Sequence, residues 1–310
     1  MIIVFGSINL DLVARVPRMP QPGETLSGST FAMFPGGKGA NQALAARRAG
    51  ARVAMYGAVG RDAFAEPALA SLTAAGVVQD GVARVDAPTG VALIHVDAKG
   101  ENAITIVAGA NGHAAAAGVP TAELCATATL LMQLEVPLAE VRALAATATA
   151  ARVVLNAAPA QPLPAALLDL LDVLIVNEHE AAAIGTALAL PATAAGFAVA
   201  LQQRHGCATV VTLGAAGALA ATGDGFYRVA APPTEVVDTT GAGDAFCGAL
   251  AAALDRGSAW PRALAEAIAA GSLACRHAGA QPALPEQDAI AALADGIERS
   301  GGIARSDLPS

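Results

Sequence analysis

Ile2-Ile3-Val4-Phe5-Gly6-Ser7-Ile8-Asn9-Leu10-Asp11 opens the chain with four apolar residues in a row, followed by small and polar ones. A strand apolar on both faces belongs in the middle of a sheet that is covered on both sides. Apolar runs return at 53–59 and then, after residue 120, at 130–134, 153–156, 173–176, 209–213 and 218–221. Helical patterns fill most of the gaps. Strands alternating with helices predict an α/β fold around a mostly parallel sheet. Ligands in such folds bind beyond the carboxyl ends of the strands, so the polar residues just after each apolar run are the ones to weigh.

Two regions break this rhythm. Residues 30–34 alternate, after a Pro/Gly-rich passage at 17–28. Residues 91–96 and 103–107 also alternate, joined by Asp97-Ala98-Lys99-Gly100-Glu101, which predicts a β-hairpin. Together they predict a small sheet projecting from the main body.

Composition narrows the functional classes. Of 310 residues, 55% are hydrophobic and 14% charged, which excludes general disorder. Aromatics are 3% and the formal net charge is −8, the wrong endowment for stacking on bases or neutralising phosphates. The length fits two domains, or one large α/β domain with an elaboration. Mean hydropathy is +0.52, so membrane spans need testing. The uncharged stretch 181–203 carries Pro191 at its middle and predicts two short helices and a loop. Stretch 207–223, interrupted by Gly214 and Gly217, predicts strand, turn, strand. Without a basic region and long apolar run at the start, a cytoplasmic location is expected. Cys125, Cys207, Cys247 and Cys275 form no CxxC pair, and buried reduced thiols are expected. The five histidines form no HxxxH or HExxH pattern, and no nucleophile elbow is present.

Asp238-Thr239-Thr240-Gly241-Ala242-Gly243-Asp244-Ala245-Phe246 is the sharpest chemical feature. It follows a β-type segment at 235–237 and precedes a helix. Gly241 and Gly243 bring bare N–H groups to the helix N-terminus, an anion site suited to a phosphoryl group in transfer. Asp244 in the first turn either complements the helix dipole or serves as a general base. The flanking glycines and the second acid, Asp238, favour the base. Gly36-Gly37-Lys38-Gly39-Ala40-Asn41-Gln42 is a second Gly-rich turn, opening a helix over 40–49. It matches neither a Walker A loop nor GxGxxG, so P-loop NTPases and Rossmann oxidoreductases lose support. Asn9 and Asp11 fit either a turn past the first strand or a polyol site, and Glu135 could do the same. Asn177 and Glu180 fit either a helix N-cap or a pair on metal-bound phosphates. Gly214 and Gly217, with Thr212, could admit a nucleotide close to the backbone.

These segments in order resemble the ribokinase branch of the PfkB carbohydrate kinase family. GSINLD at 6–11, PGET at 22–25, GGKGANQA at 36–43, GENAITIVAGAN at 100–111, LLMQLEVP at 130–137, NEHE at 177–180, VTLGAAG at 211–217, DTTGAGDAF at 238–246 and GAQPALP at 279–285 carry it. The resemblance implies one three-layer α/β/α domain over 1–310, with a small β-sheet lid formed by about 12–35 and 88–108. It implies ATP-dependent phosphorylation of D-ribose at its 5-hydroxyl, with Asp244 as general base and Gly241, Ala242 and Gly243 as anion hole. Asn9, Asp11, Gly37, Lys38, Asn41 and Glu135 match ribose-binding positions. Asn177, Glu180, Thr212, Gly214, Gly217 and Gly243 match positions for ATP with Mg²⁺. Asp238, Thr240, Ala274, His277, Gly279 and Ala283 match those around a monovalent cation, usually K⁺. Ala283 stands where a serine is common, so K⁺ activation could be weaker if that side chain is a ligand; His277 stands where an arginine is usual, a harmless change if only its carbonyl binds. A homodimer through the lid is also implied, and neither nucleic acid nor a membrane is an expected partner. The alternatives are a kinase for another furanose or a nucleoside, and a non-catalytic sugar-binding protein, against which the intact Asp244 argues.

Overall fold

The computed structural model describes residues 1–308. The chain runs through β1 (Ile2–Phe5), β2 (Asn9–Arg15) and β3 (Thr30–Gly36) into helix α1 (Lys38–Arg48). Then follow β4 (Val53–Val59), α2 (Ala65–Ala74), β5 (Val78–Arg84) and the hairpin β6 (Gly90–Val96) and β7 (Asn102–Val107). The second half continues with β8 (Thr129–Met132), α3 (Leu138–Thr147), β9 (Arg152–Asn156), α4 (Ala165–Leu168), β10 (Val173–Asn177), α5 (Glu178–Leu188) and α6 (Ala194–His205). It closes with β11 (Ala208–Thr212), β12 (Ala218–Thr222), β13 (Gly225–Val229), α7 (Ala242–Asp255), α8 (Trp260–Ala274), α9 (Ala280–Ala283), α10 (Gln287–Arg299) and β14 (Ile303–Ser306).

The main sheet has ten strands in the order β14-β13-β12-β11-β10-β9-β8-β1-β4-β5. From β11 to β5 every pairing is parallel, and β12 to β14 are added antiparallel at one edge. β1 shows why the opening residues dictate this architecture. Ile2 and Val4 pack into one core with α1, α7, α8 and α10. Ile3 and Phe5 pack into a second core with α3, α4, α5 and α6. Alternate side chains of a strand point to opposite faces, so an uninterrupted apolar run needs helices on both. The result is the expected three-layer fold.

Alanine content has a structural use here. A Cβ on Gly248 of α7 would lie 2.5 Å from the Ala45 Cβ of α1 and 2.7 Å from the Gln42 carbonyl oxygen. The two helices touch almost backbone to backbone, which sets Asn41 and Gln42 against Asp244 one turn earlier on α7.

The second sheet has the order β3-β2-β6-β7. β2 and β6 are parallel and the outer pairings antiparallel. Asn9 and Asp11 therefore start a strand, not the turn that their place after β1 suggested. Two apart on β2, they share a face, with Asp11 beside Phe34 of β3 and Ala92 of β6.

Three further expectations are corrected. Residues 235–237 form no strand: Val237 and Asp238 donate their N–H groups to the Cys275 carbonyl beyond α8, and Val236 and Val237 stay exposed. β8 stops at Met132, where the backbone leaves the ladder and the Leu134 N–H turns to the Ala158 carbonyl beyond β9. Cys125, in the irregular approach to β8, is exposed and Cys275 part-buried, whereas Cys207 and Cys247 are buried; all four are free. The 181–203 stretch divides into α5 and α6, as expected. Among the described residues no helix is long and apolar enough to cross a membrane.

Candidate active site

The carboxyl ends of β1, β8, β9, β10 and β11 converge with the N-termini of α1 and α7. At β1 the chain turns through Gly6 and Ser7, and the Ser7 hydroxyl donates to Glu135 Oε2 at 2.6 Å. The same oxygen accepts the Lys38 backbone N–H at 3.1 Å. Glu135 thus joins the first strand to the start of α1. Gly37 caps α1 at φ 89°, and a Cβ there would lie 2.8 Å from the Asn9 nitrogen, so only glycine fits. Asn9 is fixed from the other side by Asn111, whose Nδ2 donates to Asn9 Oδ1 at 2.7 Å. Asn111 Oδ1 in turn accepts from the Ile8 N–H at 2.8 Å.

Asp11 faces this cluster. Burial, then the charges of Glu135 and Asp244, push its carboxyl up to about 6. Lys38 stands among acids. Burial pulls its ammonium down, but Asp244, Glu135 and Glu180 reverse the direction and leave it above its ordinary value. Asp244 is buried in the first turn of α7, and burial pushes its carboxyl up against the opposing pull of Lys38 and two side-chain amides. Those amides are Asn41, whose Nδ2 donates to Oδ2, and Gln42, whose Nε2 donates to Oδ1, both at 2.9 Å. Gly241 caps α7 in the left-handed region at φ 76°, and a Cβ there would meet the Ala280 Cα at 2.9 Å. Asn9, Asp11, Gly37, Lys38, Asn41, Glu135 and Asp244 are therefore brought together.

Two adjoining cavities open on the other side of Asp244. The first, about 240 Å³, is lined by Lys38, Glu180, Thr212, Gly241, Gly243 and Asp244. The second, about 270 Å³ and largely apolar, includes Gly214, Gly217, Val236, Phe246 and Ile268. Thr212, Thr239 and Gly243 line both. All the expected nucleotide-side positions lie here. Asn177 and Glu180 form a reciprocal cap of α5, each accepting the other's backbone N–H at 2.8 Å. Burial, despite the Asn177 N–H and Lys38, raises the Glu180 carboxyl. Glu180 is thus both a cap and an acidic wall of the first cavity.

Asp238 gathers the third expected group. Its Oδ1 accepts from the Thr240 N–H at 2.9 Å and hydroxyl at 2.6 Å, and its Oδ2 from the Gly279 N–H at 2.8 Å. Partial burial pushes this carboxyl up, but those bonds outweigh it and hold the value low. His277 is exposed and donates its N–H to the Ala274 carbonyl at 3.3 Å. Ala283 is buried and brings no side-chain oxygen. Thr240 and Gly279 are thus drawn to one anionic side chain, and the Ala274 carbonyl is taken up by the His277 N–H. Among the described residues no cluster of His, Cys, Asp or Glu could hold a metal unaided.

Sequence reasoning missed Gln42, Asn111, Gln133, Asn156 and Gln281. Gln42 Nε2 also reaches Asn156 Oδ1 at 2.9 Å. None of them is marked in the sequence, since a buried amide on a helix, a strand or a loop shows only once its partners are known.

A buried carboxylate beside a glycine-rich helix N-terminus, at the strand ends of an α/β sheet, defines a phosphotransferase site. Residues 1–287 match the pfkB family carbohydrate kinases, and the chain belongs to that family. It is 34% identical over 300 residues to the ribokinase of Lactococcus lactis, covering 95% of this chain and 97% of the relative. The ribokinase structure from Thermotoga maritima superposes with a TM-score of 0.89 at 30% identity, covering 95% of this chain and 99% of that one. The Arabidopsis thaliana ribokinase complexed with ribose and ATP gives a TM-score of 0.84 at 31% identity, covering 94% and 98%.

Proposed function

We propose that this carbohydrate kinase transfers the γ-phosphoryl group of ATP to the 5-hydroxyl of D-ribose, giving ribose 5-phosphate and ADP. The observation that carries the reading is Asp244, a buried carboxylate flanked by the polar cluster of β2 and α1 and by the glycine-lined first cavity. The sugar would lie over Asn9, Asp11, Gly37, Lys38, Asn41 and Glu135, whose acceptors and donors suit hydroxyl groups. The nucleotide would lie across the two cavities, its base against Val236 and Ile268 and its phosphates toward Gly243, Asn177 and Glu180.

Asp244 takes the proton of the hydroxyl as that oxygen forms its bond to the γ-phosphorus and the bond to the bridging oxygen of ADP breaks. The N–H groups of Gly241, Ala242 and Gly243 stabilise the charge spread over the phosphoryl oxygens. Mg²⁺ bound to the nucleotide would neutralise phosphate charge, with Glu180 and Asn177 on its side of the cavity. K⁺ would sit among the carbonyls near Asp238, Thr240, Ala274, His277, Gly279 and Ala283 and stiffen the loop before α7. The small sheet acts as a lid within a single domain, excluding water so that ATP is not hydrolysed. Its Asp11 face covers the sugar. On its opposite face Phe31, Met33 and Leu93 are 63%, 50% and 41% exposed, which suits a second copy of this chain.

The test is ATP turnover with D-ribose against a panel of pentoses, hexoses and nucleosides, with and without K⁺. Fast turnover on ribose alone is expected. Asp244→Asn should lower kcat by about two to four orders of magnitude with ribose affinity largely kept. Near-normal turnover in that variant, or a preference for another acceptor, would sink the reading.

A further inference from the structure

An ionised carboxylate accepts hydrogen bonds and donates none, so Asn41 and Gln42 must both turn their amide nitrogens toward Asp244. Their oxygens then point away and need donors of their own. Gln281 Nε2 donates to Asn41 Oδ1 at 3.0 Å, and Gln133 Nε2 donates to Gln42 Oε1 at 2.6 Å. Asn156 obeys the same polarity. Its Nδ2 donates to the Ile175 carbonyl at 3.2 Å, which leaves its oxygen for Gln42.

The series ends at two glutamines whose own oxygens find nothing. Among the described residues three buried side-chain polar atoms lack a partner: Gln133 Oε1, Gln281 Oε1 and His205 Nε2. Two of the three therefore lie at the same remove from one carboxylate, on opposite sides of it. Gln133 and Gln281 are 0% and 1% exposed, so neither oxygen reaches the surface. Room was made for one of them: a Cβ on Gly6 would overlap Gln133 Oε1. An orphaned buried acceptor is destabilising and rare, and calls for a reason. Reversing either amide pair would satisfy the outer glutamine no better and would aim an oxygen at Asp244.

We propose that Gln133 and Gln281 are positioning residues for the catalytic base, fixing the rotation of the Gln42 and Asn41 amides and through them the plane of the Asp244 carboxylate. This rests on Asp244 being the base. Both carboxylate oxygens already receive an N–H, so a proton taken from the sugar meets donors on both sides and is readily given up. The other groups that face Asp244 are Lys38 on α1, Asp11 on β2, Glu135 after β8, Glu180 on α5 and Cys247 on α7. Only Lys38 among them favours the charged form. The amides supply the remainder.

Gln133→Met and Gln281→Met keep the volume and remove the donor. Each is expected to lower kcat about tenfold with KM for ATP unchanged, the loss of one hydrogen bond in a chain that ends on a charge. The acid limb of the kcat profile should move to higher pH in both. Melting temperature should change little, since the orphaned acceptor that leaves is replaced by one on Gln42 or Asn41 that has lost its donor. Gln281→Glu, which keeps the shape but does not donate when ionised, should lose at least as much as Gln281→Met. The ¹³C titration of the Asp244 carboxyl reads the same effect without turnover and should move up in both methionine variants. Unchanged kcat and an unmoved Asp244 titration in both would overturn the proposal, as would activity lost only in proportion to folded protein. Failure of the base reading is separate: it would show as an active Asp244→Asn enzyme.

Discussion

Asp11 shows how one side chain can work against the fold that holds it. Its carboxyl is raised to about 6 by burial and by Glu135 and Asp244. Between about pH 4 and pH 6 the folded chain then holds more proton than the unfolded one, so stability falls as pH rises through that window. The penalty is complete above it and is bounded at about 3 kcal/mol, lowered further by solvent screening at this part-exposed position. Asp11→Asn is therefore expected to melt higher than wild type at pH 7.5, with the advantage shrinking toward pH 4. The same change should weaken ribose binding about tenfold or more, because a charged acceptor is lost. Thermal melts across pH and a ribose titration check both; equal melting at neutral pH would show that Asp11 is not held charged against its surroundings.

At the scale of elements, the contact of α1 with α7 sets the chemistry. Gly248 allows the close approach that brings Asn41 and Gln42 to Asp244. Gly248→Val should cost about 1–3 kcal/mol by overpacking. It should also lower kcat more than it raises KM for ATP, because the second cavity lies away from that contact. Urea melts and steady-state kinetics separate the two effects. The elements themselves were unevenly legible. β1 and β4 read directly, because apolar runs buried on both faces leave little ambiguity. β2 did not, because its strand character comes from pairing with β3 and β6, which are distant in sequence. Asp244 was legible because the glycines beside it flag a backbone near a ligand; Lys38 and Asn41 came through the family resemblance alone, since their glycine turn reads equally as a helix cap. Gln42, Gln133 and Gln281 were not, because a buried amide leaves no mark in the sequence until its partners are known.

The whole molecule is a two-core sheet with a small second sheet at its active end. Apolar residues face outward on both sides of that sheet: Phe34, Ile104 and Ile106 with Asp11, and Phe31, Met33 and Leu93 opposite. A monomer rarely leaves so much apolar surface open. Sedimentation of the wild-type chain is expected to give twice the mass of one chain, and Phe31→Glu with Leu93→Glu to give a single chain. A monomeric wild type at micromolar concentration would remove the dimer from the proposal. Composition gave no hint of this surface, since each of its residues is an ordinary strand former.

The carboxyl of Asp11, held beside two other acids, carries one last consequence. A library screened for heat tolerance alone should enrich asparagine at position 11, where the charge costs stability and serves the sugar. The survivors would be robust proteins and slow enzymes, so a screen for a hardier form of this kinase has to score turnover in every round.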